Sequence, residues 1–249
     1  SPASRRRRRQ REMACNVLAI TALLAAGGKL LLDALLLAFS SFWAPLTSLF
    51  GPAIIVGRVT AFGILFCTAV LFLTMSRGLH RGVHALCARG SARSRVLRAL
   101  SHKEAHVFSA VAMVVLALIH TVAHAVWDLP TMLTADVSRL NQAMKCGICD
   151  TNDVCRLTLP RALEWPPCPF EAALSVSQLL TSTTVVTGVL LWLVLLAMWA
   201  TAHRAARAAR YDVFWLAHNA LLVGWVVLLW LHASNQWTGA AFPFALWIV

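Results

Sequence analysis

Apolar stretches long enough to cross a bilayer recur along this chain, and they leave it few ways to fold. Six can be marked, at roughly 14–43, 50–76, 104–127, 173–202, 211–233 and 240–249. About twenty apolar residues in helical form span a hydrocarbon core, where every backbone polar group must find its partner within the protein. A helix meets that demand by itself. The expected fold class is therefore an all-α membrane protein, a bundle of six transmembrane helices. Composition agrees: 59% of the 249 residues are hydrophobic and 13% charged, with a mean hydropathy of +0.70. A soluble domain of this size could not hide so much apolar surface. The chain opens at Ser1 and closes inside an apolar run, so the sixth helix is expected to be truncated and the chain to be a piece of a longer protein.

A formal net charge of +12 would suit a nucleic-acid binder if it formed one patch. Its distribution points to topology instead. Residues 1–13 carry six arginines; the loop after the second segment carries Arg77, Arg81, Arg89, Arg93, Arg95, Arg98 and Lys103; the loop after the fourth carries Arg204, Arg207 and Arg210. Residues 128–172 hold four basic and six acidic residues, and the 44–50 turn holds no charge. Basic loops stay on the cytosolic side. This predicts a basic cytosolic tail at 1–13, a transmembrane domain at 14–249, and a 128–172 loop outside. The protein would sit in the plasma membrane or an endomembrane, its arginines drawn to anionic lipid rather than to nucleic acid. The order of arginines and then apolar residues also fits a signal peptide, but no small-residue cleavage site follows the first apolar run.

The outer loop contains Cys146, Cys149, Cys155 and Cys168. In an oxidising compartment these are expected to form two disulfides, with three pairings open. Four thiolates on zinc are the rival reading, since Cys146 and Cys149 have ligand spacing. Cys15, Cys67 and Cys87 read as ordinary buried thiols.

The histidines carry the chemistry. His106 and His120 stand fourteen residues apart in the third segment, and His218 and His232 fourteen apart in the fifth. At 3.6 residues per turn that is nearly four turns, so each pair shares a helix face with about 21 Å between its members. Both segments run from inside to outside, which sets His106 level with His218 and His120 level with His232. A haem iron takes one axial ligand from each side, and neutral imidazole is a common choice. The pattern predicts two stacked haems with bis-histidine ligation. A single membrane histidine is as often a hydrogen-bonded interior residue or a proton relay; four in matched register are not explained that way. Arg58, in the middle of the second segment, needs an anionic partner such as a haem propionate, or a structural carboxylate. Lys29 and Asp33, one turn apart, are expected to neutralise each other. His80, His84 and His203 fall in basic loops, and His102 lies at the cytosolic boundary.

These residues resemble a known family. Phe50-Gly51, Gly57-Arg58-Val59-Thr60-Ala61, Met75-Ser76-Arg77, His106, His120-Thr121-Val122-Ala123-His124, Thr187-Gly188, Tyr211-Asp212-Val213-Phe214-Trp215, His218 and His232 are similar to the membrane domain of NADPH oxidases, within the ferric reductase-like transmembrane superfamily. The resemblance spans about residues 48–235. It implies two b-type haems, the inner held by His106 and His218 and the outer by His120 and His232. A cytosolic FAD and NADPH dehydrogenase would feed them, with dioxygen reduced to superoxide on the far face beside Arg58 and His124. Where the oxidases usually have lysine after the first haem histidine, this chain has Val107, with His102-Lys103 one turn earlier. No dinucleotide-binding glycine motif or EF-hand pattern lies in these residues, so the dehydrogenase is expected elsewhere. Other functions remain open at this point: a ferric-chelate reductase, a proton channel built from Arg58, Lys29, Asp33 and the histidines, or a haem subunit without turnover.

Overall fold

A computed structural model describes residues 28, 29, 32, 35, 38, 39, 44–75, 103–143 and 171–232. The elements in chain order are α1 (Ala44–Phe50), α2 (Pro52–Met75), α3 (Lys103–Ala123), a π-helical turn (His124–Asp128), α4 (Leu129–Thr134), α5 (Val137–Ala143), α6 (Val176–Leu180), α7 (Thr183–Ala202), α8 (Arg204–Ala209) and α9 (Tyr211–His232). Among the described residues four helical spans are long and apolar enough to cross a membrane: Pro52–Met75, Ala105–Thr134, Thr183–Ala202 and Tyr211–His232. They correspond to the second to fifth predicted segments. The sixth segment and most of the first lie outside the described residues, as do the 1–13 tail, Cys15, Cys87 and the four loop cysteines. The described positions between 28 and 39 are helical.

Three boundaries differ from the sequence reading. Residues 44–50 form helix α1 rather than a turn. Pro45 sits in its first turn, where the missing N–H costs nothing. The third segment does not end at 127 but continues through the π-helical turn to Thr134. Pro130 cannot donate to the preceding turn, and the wider turn before it absorbs that mismatch. The fourth segment is interrupted: Ser175 and Gln178 close a capping box on α6, and Ser182 then caps α7 by accepting from the Val185 N–H. Ser182 also bonds back to the Leu179 carbonyl, so it closes one run and starts the next.

The described residues fall into two compact units, one drawn from 28–41 and 55–123 and the other from 42–54 and 124–232. In the first, α2 and α3 run antiparallel. Their contacts follow in reverse order along the two helices, from Thr60 against His120, through Gly63 against Leu116 and Thr68 against Met113, to Thr74 against His106. A Cβ on Gly63 would come within 2.8 Å of Leu116 Cδ1, so a larger residue there would make the tip of that leucine shift. In the second unit α7 packs on α9, burying Leu191, Leu195, Trp225 and Leu229. Val111, Val115, Leu118, Val189, Leu193 and Leu216 are exposed, as expected for faces turned to lipid.

The second unit also holds a corner. Gly51, at φ +62°, joins α1 to α2, and Pro52 opens α2 with its pre-set φ. A Cβ at Gly51 would lie 3.6 Å from Trp127 Nε1 in the π-helical turn. Helix α1 buries Leu46 and Phe50, and α5, packed against α1, buries Leu140 and Ala143. Asp136 caps α5 by accepting the Ser138 N–H at 2.7 Å, which holds its carboxyl below the usual range. Gly51→Val places a branched side chain in the left-handed region, at a cost of about 1–2 kcal/mol. The expected outcome is a lower thermal unfolding midpoint in detergent; an unchanged midpoint would show that the corner does not depend on glycine.

Candidate functional site

Helix α3 presents His106 and His120 on one face, both half-buried. Their surroundings on α2 fix which ring nitrogen carries the proton. His120 Nδ1 lies 2.9 Å from the Gly57 carbonyl oxygen and 3.4 Å from Thr60 Oγ1. A carbonyl oxygen can only accept, so Nδ1 carries the hydrogen and Nε2 keeps its lone pair. Thr60 reinforces this, because its own proton goes to the Val56 carbonyl at 2.7 Å. At the other end His106 Nδ1 lies 3.3 Å from Thr74 Oγ1, whose proton goes to the Leu71 carbonyl at 2.9 Å. Again the ring donates from Nδ1 and leaves Nε2 available.

The second unit repeats the arrangement. His232 Nδ1 lies 3.0 Å from Thr187 Oγ1, which donates to the Thr183 carbonyl at 2.6 Å. Gly188 lets the ring approach: a Cβ there would stand 3.2 Å from His232 Cε1. His218, four turns back on α9, meets Phe214 in a tilted contact with 5.3 Å between centroids, and the Arg207 guanidinium lies over the Phe214 ring at 5.7 Å. Thr187 to His232 and Thr60 to His120 are thus the same contact built twice.

Each unit carries further polar side chains. Arg58 follows Gly57 on α2, next in sequence to the carbonyl that anchors His120. His124 opens the π-helical turn, and its Nδ1 is 2.6 Å from Asp128 Oδ2. Asp128 is 4% exposed, and its Oδ1 has no hydrogen-bond partner among the described residues. Lys29 sits 5.0 Å above the Phe62 ring; Asp33, its expected partner, lies outside the described residues. His203 is exposed, in edge-on contact with Trp199 at 6.5 Å, as a loop histidine should be. Cys67 is a free, buried thiol. His80, His84 and His102 lie outside the described residues.

Sequence reading named Thr60 and Thr187 within family motifs but gave them no role, and it missed Thr74 and Asp128. The threonines had a signal: Thr60 and Thr74 are fourteen residues apart, the histidines' own interval. Two further residues share the histidine faces. Met113 stands seven residues from each histidine of α3 and Trp225 seven from each of α9, and both are buried. Asp128 had none, because the sequence reading placed it in a loop.

Three histidines therefore offer Nε2 lone pairs, each with its other nitrogen anchored, as protein-held axial ligands require. No group of three or more His, Cys, Asp or Glu side chains comes together among the described residues. Histidines standing singly suit a group that brings its own equatorial ligands, so the residues fit haem.

A search of the curated proteins finds no match. The family model described as ferric reductase like transmembrane component matches residues 62–229, which takes in His106, His120, His218 and all but the last turn of α9. The chain is an integral, multi-pass membrane protein and belongs to the ferric reductase-like transmembrane component family.

Proposed function

We propose that this protein is the membrane electron conduit of an NADPH oxidase-type enzyme, carrying electrons from a cytosolic FAD and NADPH dehydrogenase to dioxygen on the opposite face and producing superoxide. The observation that carries the reading is the anchoring of histidine Nδ1 atoms, which turns the fourteen-residue register into a set of oriented ligands. His106 with His218 would hold the inner haem and His120 with His232 the outer. When bound, the two haems supply one-electron chemistry at two depths of the bilayer.

The chain's own residues do the rest. Threonine and carbonyl oxygens keep each ring in one tautomer. Met113 and Trp225, midway between the ligands of their helices, provide polarizable side chains between the two levels. Lipid-facing valines and leucines exclude water from the path. Arg58 offers a fixed positive charge near the His120 level, where a superoxide anion would form. His124, its Nδ1 against Asp128, is oriented to hold or deliver a proton at Nε2. The N-terminus would be cytosolic and the segment after Thr134 outside, by the distribution of arginine.

The family's printed description supports a second reading, reduction of a ferric chelate at the same outer haem. The acceptors differ in size and charge, so Arg58 discriminates. In the full-length enzyme Arg58→Met should lower superoxide output about tenfold or more while changing ferric-chelate reduction less. Equal losses would favour the ferric acceptor.

The haems are tested first. A dithionite-reduced minus oxidised spectrum should show two b-type haems per chain, falling to one or none in His120→Ala. A folded protein without a Soret band would remove the conduit and return attention to a proton channel. Gly188→Leu should act like loss of a ligand, because its side chain takes the space of the His232 ring. Haem content at or near the wild-type value would show that the close approach is dispensable.

A further inference from the structure

The helices that pack against the histidine helices carry threonine in a register of their own. On α2 Thr60 and Thr74 stand fourteen residues apart, and on α7 Thr187 and Thr201 do the same. Within each unit the two helices run in opposite directions, so equal intervals set one threonine at the height of each histidine. Three of the four make contact: Thr60 with His120, Thr74 with His106, and Thr187 with His232. Those three hydroxyls are buried. In each, the proton goes to a carbonyl of the threonine's own helix, so the oxygen faces the ring as an acceptor. Threonine commonly bonds back to its own helix. That habit explains the donated proton but not the four-turn interval, nor its repetition in two hairpins of different sequence.

We propose that Thr60, Thr74 and Thr187 are positioning residues that set the reduction potentials of the haems by fixing the tautomer and basicity of their axial histidines. The proposal rests on the reading of the histidines as ligands. An imidazole whose Nδ1–H is held by an oxygen acceptor carries more electron density at Nε2. A more basic axial ligand favours ferric over ferrous iron and lowers the potential. Valine keeps the shape of threonine and removes the acceptor, and serine restores it.

The test is a spectroelectrochemical titration of the purified protein, with the low-spin ferric electron paramagnetic resonance signal as a second readout. Thr187→Val should raise one haem's midpoint, shifting its ferrous-to-ferric ratio at fixed potential by about tenfold, or about 59 mV for one electron. Thr60→Val should move the same haem by a similar amount, because each ring keeps one backbone acceptor, the Gly57 carbonyl at 2.9 Å for His120 and the Thr184 carbonyl for His232. Thr74→Val should move the other haem. Thr187→Ser should return to the wild-type midpoint and signal. If Thr187→Val sheds its haem, Thr187→Cys, a weak acceptor of similar volume, should show the same upward shift. Two bound haems with midpoints and signals unmoved in every acceptor-deficient variant would overturn the proposal and leave ligation standing. Absence of haem from the wild type would overturn the ligand reading, and this inference with it.

Discussion

A ring N–H inside hydrocarbon has to be given to an oxygen, and most of what distinguishes this structure follows from how that demand is met. An unbonded polar hydrogen is costly in a medium without water, about 2–7 kcal/mol by reference state. Here the acceptors are the Gly57 carbonyl and the hydroxyls of Thr60, Thr74 and Thr187, all on the helix packed against the histidine's own. The bond that satisfies the ring also sets the rotation and height of one helix against the other. A slide of one residue along α2 or α7 would misplace each acceptor by about 1.5 Å and turn it by about 100°.

Close approach has to accompany that register, and small residues provide it. Gly63 meets Leu116 between the two His–Thr levels of the first unit, and Gly188 lies directly under His232 in the second. On the outside, valine and leucine are left exposed for lipid. Side-chain size thus changes from one helix face to another for separate reasons: small where a histidine helix must come near, large and apolar where acyl chains fill the space. In membranes the solvent is as apolar as leucine, so packing of this kind and the interhelical hydrogen bonds are what hold the pairs together.

Much of this was legible in the sequence. Transmembrane helices are written in composition, and the four spans fall where apolar runs were marked. The histidines were legible because they are rare in such runs and repeat at a helical interval. Their partners were harder to read. Threonine is common in membrane helices, and its function appears only when the antiparallel pairing of α2 with α3 is known; nothing local distinguishes Thr60 from Thr68, which instead meets Met113. Helix α1 was read as a turn because seven residues between apolar runs give periodicity too little length. The extension beyond 127 was missed for a related reason. Asp128 and Pro130 look like a helix end, yet a π-helical turn carries the chain through them. A buried carboxylate beside His124 is intelligible only once that continuation is seen.

The π-helical turn has a bearing on how such a protein can change over time. A helix with uniform geometry is a rigid screw: an inserted residue rotates everything beyond it. The turn at His124–Asp128 already accommodates one surplus residue, and it begins one turn beyond His120, where α3 ends. Phase errors arising beyond it can be absorbed there rather than passed back to His106 and His120. The helix beyond it, through Thr134, is free to vary by insertion, deletion or exchange while the histidine-bearing part stays in step. One widened turn therefore uncouples the histidine register from the helix end beyond it.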